Sequence, residues 1–181
     1  REHLIEEKAK LLETLKPSGL LVLNWDDSAV VEMKTRTKNR GITFGFSVGA
    51  DIRGSGDSIS YSEKNEPEGI IFRVDAEGKS FPVVLDGLFG RSHVYASLAA
   101  LALSSGLKLN ILSAAESLKS YDAPPGRMRL LKGIKNSLII DDTYNSSPYA
   151  CEMALRTLGN IRCRTEGCRH VAVLGDMLEL G

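Results

Sequence analysis

Three stretches of the 181-residue chain end an apolar run in acids and amides: LLVLNWDD (20–27), SLIIDDTYNSSP (137–148) and HVAVLGD (170–176). In open α/β sheets, ligands sit outside the carboxyl ends of the strands. Asp141 and Asp142 could there hold ribose hydroxyls or a hydrated metal. A helix cap plus an Asx turn would use the same residues, and this stretch alone leaves both readings open. Asn24 donates and accepts at once, which suits an adenine edge. Its neighbours Asp26 and Asp27 could equally cap a helix over 28–34. Gly175 permits close backbone approach, and Asp176 repeats the acid at the edge. Arg127 lies in PPGR (124–127) and carries the planar, always-charged fork that grips phosphate. Outside any context it would be an ordinary surface arginine.

The elements that must position these groups follow from periodicity. HLIEEKAKLLETL (3–15) has apolar residues at helical spacing with charges opposite, and Lys16-Pro17-Ser18-Gly19 stops it. GLLVLN (19–24) is a continuous apolar run, expected to be a strand buried on both faces. Residues 42–86 hold four short β-like runs separated by Gly, Pro, Asn and Asp. The Ala/Leu-rich stretch 88–107 predicts a helix ending near Gly106, and a further helix fits 111–120. YDAPPGR (121–127) is a linker, since two prolines and a glycine cannot continue a helix. MRLLKGIKNSLIID predicts a strand pair turning near Lys135-Asn136. Pro148 suits the first turn of a helix to about Leu158. HVAVLGD then predicts a second buried strand, completing a right-handed βαβ unit.

Composition excludes several classes. Lys+Arg and Asp+Glu both number 23, so the basic footprint of a nucleic-acid binder is missing. No apolar run approaches the roughly 20 residues that span a bilayer. Three cysteines without framework spacing (Cys151, Cys163, Cys168) argue for a reducing compartment and against a disulfide scaffold. Cys163, Cys168 and His170 suggest metal spacing but lack a fourth ligand. Gly78-Lys79-Ser80 resembles the end of a phosphate loop. It lies between two β-like runs, however, where such a loop joins a strand to a helix. His93, near the start of the Ala/Leu helix, reads as a helix-terminal or packing residue rather than a base. The chain starts without Met and ends on VAVLGDMLELG, so a fragment of a longer protein is expected.

In this order, LVLNWDD, ADIRG (50–54), GRSHVYASLAALAL (90–103), PGRM, IIDDTYNSSP and VAVLGDMLELG resemble the Mur ligase family. The last two are closest to its D-alanyl-D-alanine-adding branch. The resemblance implies an α/β fold: the C-terminal part of a central ATP-binding domain (1–121), a hinge linker (122–127) and the start of a Rossmann-like C-terminal domain (128–181). It implies an ATP-dependent, carbon–nitrogen bond-forming ligase of peptidoglycan precursor synthesis, working through an acyl phosphate. ATP, Mg²⁺, a UDP-N-acetylmuramoyl-peptide and D-alanyl-D-alanine are the implied cofactors and partners. By position, Asn24 resembles the adenine-contacting asparagine, Arg127 the hinge arginine that reaches the ATP phosphates, and Asp142 the ribose aspartate. Arg127 and Asp142 are the implied catalytic pair; Tyr144 and Asn145 fall in a loop facing the cleft.

The family's phosphate loop, magnesium ligands and modified lysine lie upstream of this chain, so no metal site is expected within it and the fragment alone should be inactive. GRSH stands where G-R-H-N is usual, Ala96-Ser97 where N-A is usual, and Trp25 where alanine is usual. A cytoplasmic monomer is implied, or a stromal protein in a photosynthetic source. Two other readings compete. One is a related ligase of the folylpolyglutamate or cyanophycin synthetase type, although the folate branch carries D-G-A-H-N-P in place of DDTYNSSP. The other is a non-catalytic module that binds a nucleotide or a partner.

Overall fold

The continuous apolar run at 20–24 folds as β1 (Leu20–Asn24) and pairs in parallel with β2 (Arg40–Gly45), from Leu20 opposite Arg40 to Asn24 opposite Phe44. The computed structural model describes residues 2–163 and 167–177. Helix α1 (Glu2–Glu13) precedes β1, and α2 (Ser28–Met33) joins β1 to β2. β2 runs parallel to β3 (Ile52–Tyr61), which is followed by β4 (Pro67–Ala76) and β5 (Lys79–Asp86). The five strands form one sheet in the order β1-β2-β3-β4-β5. Glu77 and Gly78 both have positive φ (52° and 71°), so β4 turns directly into β5 through the tight turn that suits strand twist. Helices α3 (Arg91–Gly106) and α4 (Ile111–Ser117) come next. β6 (Arg129–Lys132) and β7 (Leu138–Asp141) form a separate antiparallel pair, and α5 (Pro148–Asn160) follows.

These elements divide between two compact units. One comprises residues up to 55, 73–82 and 95–116; the other comprises 56–72, 83–94 and the described residues from 117 onward. The first buries Leu21, Leu23, Ile42, Ile52, Val74, Leu98, Leu101 and Ile111. The second buries Ile70, Phe72, Leu85, Leu88, Phe89, Val94 and Met128. Removing such side chains from water is the main favourable term in each. Helix α3 buries pairs four residues apart, at 93/94, 97/98 and 101/102, as a 3.6-residue period requires.

α3 ends at Gly106 as expected, and Lys108, with φ 58°, turns the chain after it. A methyl group added at 106 would run into the Leu20 side chain, which would have to shift. Three other expectations from sequence change. β1 buries only Leu21 and Leu23, since it is the edge strand and is not covered on both faces. HVAVLGD forms no strand, and Val173 is 93% exposed. A parallel strand needs a ladder partner and cover on its faces, and among the described residues β7 pairs only with β6. Cys163 and Cys168 form a disulfide, with Cα atoms 5.6 Å apart, against the expectation of free thiols. Gly167, next to Cys168, has a left-handed φ of 83°.

β4 and β5 approach so closely at Gly69 that an added methyl would overlap the Leu85 carbonyl oxygen, an atom no rotamer change can move. Gly69→Ala should therefore cost about 2–4 kcal/mol. Gly78→Ala meets no neighbour and should cost only the roughly 1 kcal/mol of its left-handed backbone. Urea denaturation of the two variants checks the order.

Candidate functional site

In the first unit, the polar end of β1 is built around one carboxylate. β1 stops at Asn24, whose side-chain oxygen accepts the Asp26 N–H at 3.0 Å. Asp27 caps α2 by accepting the Ala29 N–H at 3.0 Å. Asp26 is thereby left for other work. It accepts from Phe46 N–H (2.7 Å), Ser47 N–H (2.9 Å) and the Tyr95 hydroxyl (2.7 Å). The Phe46 and Tyr95 rings meet edge to face at 5.1 Å. Burial works against the charged form of Asp26, but the hydrogen bonds from Ser47, Phe46 and Tyr95 outweigh it, and its pKa falls from 3.8 to about 2. Gly45 must lack a side chain here, because a Cβ would sit 2.8 Å from the Asp26 carboxyl. Trp25 turns its indole N–H to the Val48 carbonyl (3.2 Å) and lies over Gly49, so the ring is committed to this loop. Asp51 closes the β2–β3 connection by accepting both the N–H and the hydroxyl of Thr43.

In the second unit, the linker PGRM and the loop DDTYN are bound to each other. The backbone alternates around Arg127, with Gly126 at φ 75° and Met128 at φ 49°. Asp141 accepts the Gly126 N–H at 3.0 Å, and Asp142 accepts the Met128 N–H at 3.2 Å. Tyr144 N–H returns a bond to the Gly126 carbonyl at 3.1 Å. The Met128 carbonyl takes the Phe89 N–H, and the Arg127 carbonyl lies 2.8 Å from His93 Nε2. The Arg127 carbonyl and the backbone of both its neighbours are thus held, while its guanidinium is exposed and rests 4.2 Å from the centre of the Tyr144 ring. A Cβ at Gly126 would meet Tyr144 N at 2.7 Å, so glycine is required on grounds of space as well as φ.

Strand alternation, read from the sequence, would put Asp142 toward the nucleotide cleft and Asp141 on the other face, but both carboxylates reach back to the same linker. β7 ends at Asp141, paired with Arg129, and Asp142 lies beyond the last ladder position, where alternation no longer holds. The Thr143 hydroxyl above all, against burial and together with the Gly126 N–H, holds Asp141 below the ordinary carboxylate range. Asp141 also makes the Asx turn with Thr143, and Ser147 rather than either acid caps α5.

Arg127, Asp142 and Tyr144 are therefore brought together in one unit. Asn24 belongs to the other unit, and the Asn145 side chain bonds the adjacent Ser146 N–H. Sequence reasoning missed His93, Asp26 and Tyr95 as holders of these loops. A buried polar residue on an otherwise Ala/Leu helix was the available signal for His93. Cys163 is tied into its disulfide with His170 Nε2 3.9 Å away, and among the described residues no group of three or more His, Cys, Asp or Glu is arranged to hold a metal ion. No described helix is long and apolar enough to cross a membrane.

Comparison with known proteins gives a consistent family. The family described as Mur ligase middle domain matches residues 1–104. The UDP-N-acetylmuramoyl-tripeptide–D-alanyl-D-alanine ligase of Mycobacterium bovis is 32% identical over 187 aligned residues, covering all of this chain and 35% of that protein. Its namesake from Synechocystis is 31% identical, covering 97% of this chain and 34% of the relative. The solved MurF ligase of Thermotoga maritima, in complex with ADP, superimposes with a TM-score of 0.72 at 25% identity, over 88% of this chain and 35% of its own. The chain spans about a third of the length of these relatives.

Asp26 carries the sharpest pH signature. Its folded pKa lies below the unfolded value, so its contribution is present above about pH 4 and is lost as pH falls through about 2. The unfolding free energy should drop more steeply between these pH values in the parent than in Asp26→Asn. Parallel profiles would remove Asp26 from this role. At pH 7, Asp26→Ala removes the shared acceptor of three donors and should cost about 2–4 kcal/mol by chemical denaturation.

Proposed function

The chain belongs to the Mur ligase family, and we propose that it is the nucleotide-side portion of an ATP-dependent ligase joining D-alanyl-D-alanine to UDP-N-acetylmuramoyl-tripeptide in peptidoglycan precursor synthesis. In this reading residues 1–121 close the central ATP-binding domain, 122–127 form the hinge, and 128–181 begin the C-terminal domain. The observation that carries it is Arg127: an exposed guanidinium on a backbone anchored on both sides, through Gly126 and through Met128, at the predicted hinge.

The chemistry runs in two balanced steps. The acceptor carboxylate attacks the γ-phosphorus of ATP, and ADP leaves with the β–γ bridging oxygen. The amine of D-alanyl-D-alanine then attacks the acyl phosphate carbon, expels inorganic phosphate and loses a proton as the amide forms. Phosphoryl transfer leaves the protein little covalent work, so positioning and charge neutralisation dominate. Arg127 supplies a fixed positive charge and two parallel donors to the migrating phosphoryl group. Tyr144 offers a flat resting surface for the guanidinium, and Asn145, in the same loop, keeps its amide N–H₂ for the nucleotide, since its oxygen is taken by Ser146 N–H. Asp142 holds the linker with one oxygen and presents the other to ribose. Asn24 keeps its amide N–H₂ for adenine, since its oxygen is taken by Asp26 N–H.

Mg²⁺ would neutralise phosphate charge. Asp141 and Asp142 each give an oxygen to the linker backbone, and the ligands for Mg²⁺ are expected upstream of this chain in the full-length enzyme. A cytoplasmic monomer, or a stromal one in a photosynthetic source, completes the proposal.

The test is the full-length enzyme with Arg127→Ala and Arg127→Lys. The alanine variant should lose about 10²–10³-fold in kcat with D-alanyl-D-alanine as amine. The lysine variant should recover only part of this, because it keeps the charge but not the fork. Unchanged ligation by Arg127→Ala would overturn the reading.

A further inference from the structure

His93 has no part in the scheme above, yet it is the one buried imidazole in the second unit. It is 6% exposed, at the third position of α3. Its Nε2 lies 2.8 Å from the Arg127 carbonyl, an acceptor only, so this nitrogen carries the proton and donates. The bond spans 34 residues of sequence and joins a helix start to the linker. The carbonyl it grips is flanked by two left-handed residues, Gly126 and Met128. For Met128 that backbone is costly and persists only where surrounding bonds hold it. The Gly126 N–H on Asp141 and the Gly126 carbonyl under Tyr144 N–H hold the N-terminal side of Arg127, and the Met128 N–H on Asp142 with the Met128 carbonyl on Phe89 N–H hold the C-terminal side. His93 grips the oxygen of the Arg127–Met128 peptide itself.

We propose that His93 is a positioning residue for Arg127: by donating to the Arg127 carbonyl it sets the backbone from which the guanidinium is presented over Tyr144 to a nucleotide phosphate. The assignment rests on the phosphate role given to Arg127 above. A packing histidine would serve the fold through its ring faces alone; the 2.8 Å bond to the backbone of the phosphate arginine is what sets His93 apart.

The full-length enzyme tests this with His93→Leu, which keeps bulk and removes the donor, and His93→Gln, which restores an N–H near the same place. His93→Leu should weaken binding of a non-hydrolysable ATP analogue about tenfold, leave adenosine binding unchanged, and lower kcat/KM for ATP in step. His93→Gln should recover most of the loss. In the Arg127→Ala background, His93→Leu should cost nothing more, because the group it positions has gone. Equal loss for adenosine and the ATP analogue, full additivity with Arg127→Ala, or unchanged binding in His93→Leu would each overturn the proposal. If His93→Leu does not fold, the same comparisons are read from His93→Gln against His93→Asn, whose shorter amide cannot reach; equal behaviour of those two overturns it. A harmless Arg127→Ala would instead strike the functional reading itself, which keeps the two failures apart.

Discussion

A loop that leaves the end of a strand carries N–H groups that have just lost their ladder partners, and half-buried donors of this kind must find another acceptor. In this protein carboxylates provide it. Asp26 takes two loop N–H groups and a tyrosine hydroxyl, Asp51 clips Thr43, and Asp141 and Asp142 each take one N–H of the PGRM linker. Charged acceptors make hydrogen bonds roughly twice as strong as neutral ones. They also tie segments that are far apart in sequence, 69 residues in the case of Asp26 and Tyr95. The polar ends of the strands are thus held open to solvent without being loose.

The same device explains how an arginine can be both exposed and placed. A free arginine side chain carries about 2 kcal/mol of rotamer entropy, and ordering it on a ligand usually loses that. Here the backbone of Arg127 is fixed on both sides before any ligand arrives, and the guanidinium already has a flat partner in Tyr144. An exposed cation–π contact is worth only about 0.5–1 kcal/mol. That is enough to bias the fork toward one direction and too little to withhold it from a phosphate. Acids that look like ligand residues in the sequence therefore also act as the frame for the residue of opposite charge.

Much of this was legible in the residues. The helix at the start, the turn at Lys135-Asn136, an acid cap before α2 and Pro148 in the first turn of α5 all follow from local rules. Local rules could not say which of two adjacent acids caps and which binds at a distance, as with Asp26 and Asp27. They also misjudged Asp141 and Asp142, because alternation holds only inside a ladder and β7 ends between them. The strand expected at 170–176 needs a neighbour, which no local pattern supplies. The Cys163–Cys168 bridge needs the two Cα atoms within reach of each other, and a count of cysteines does not record that.

The sequence by itself determined where the polar groups fall: every acid and amide of interest follows an apolar run, because the spacing of apolar residues sets where strands end. It also carried the family, through motifs whose order survives over nearly the whole chain. Only the tertiary structure decided which donor each acid meets, that His93 faces a carbonyl, and that Arg127 is anchored at both neighbours. Hydrogen bonds over 14 to 69 residues depend on how separate elements pack, and no periodicity within a single element records that packing.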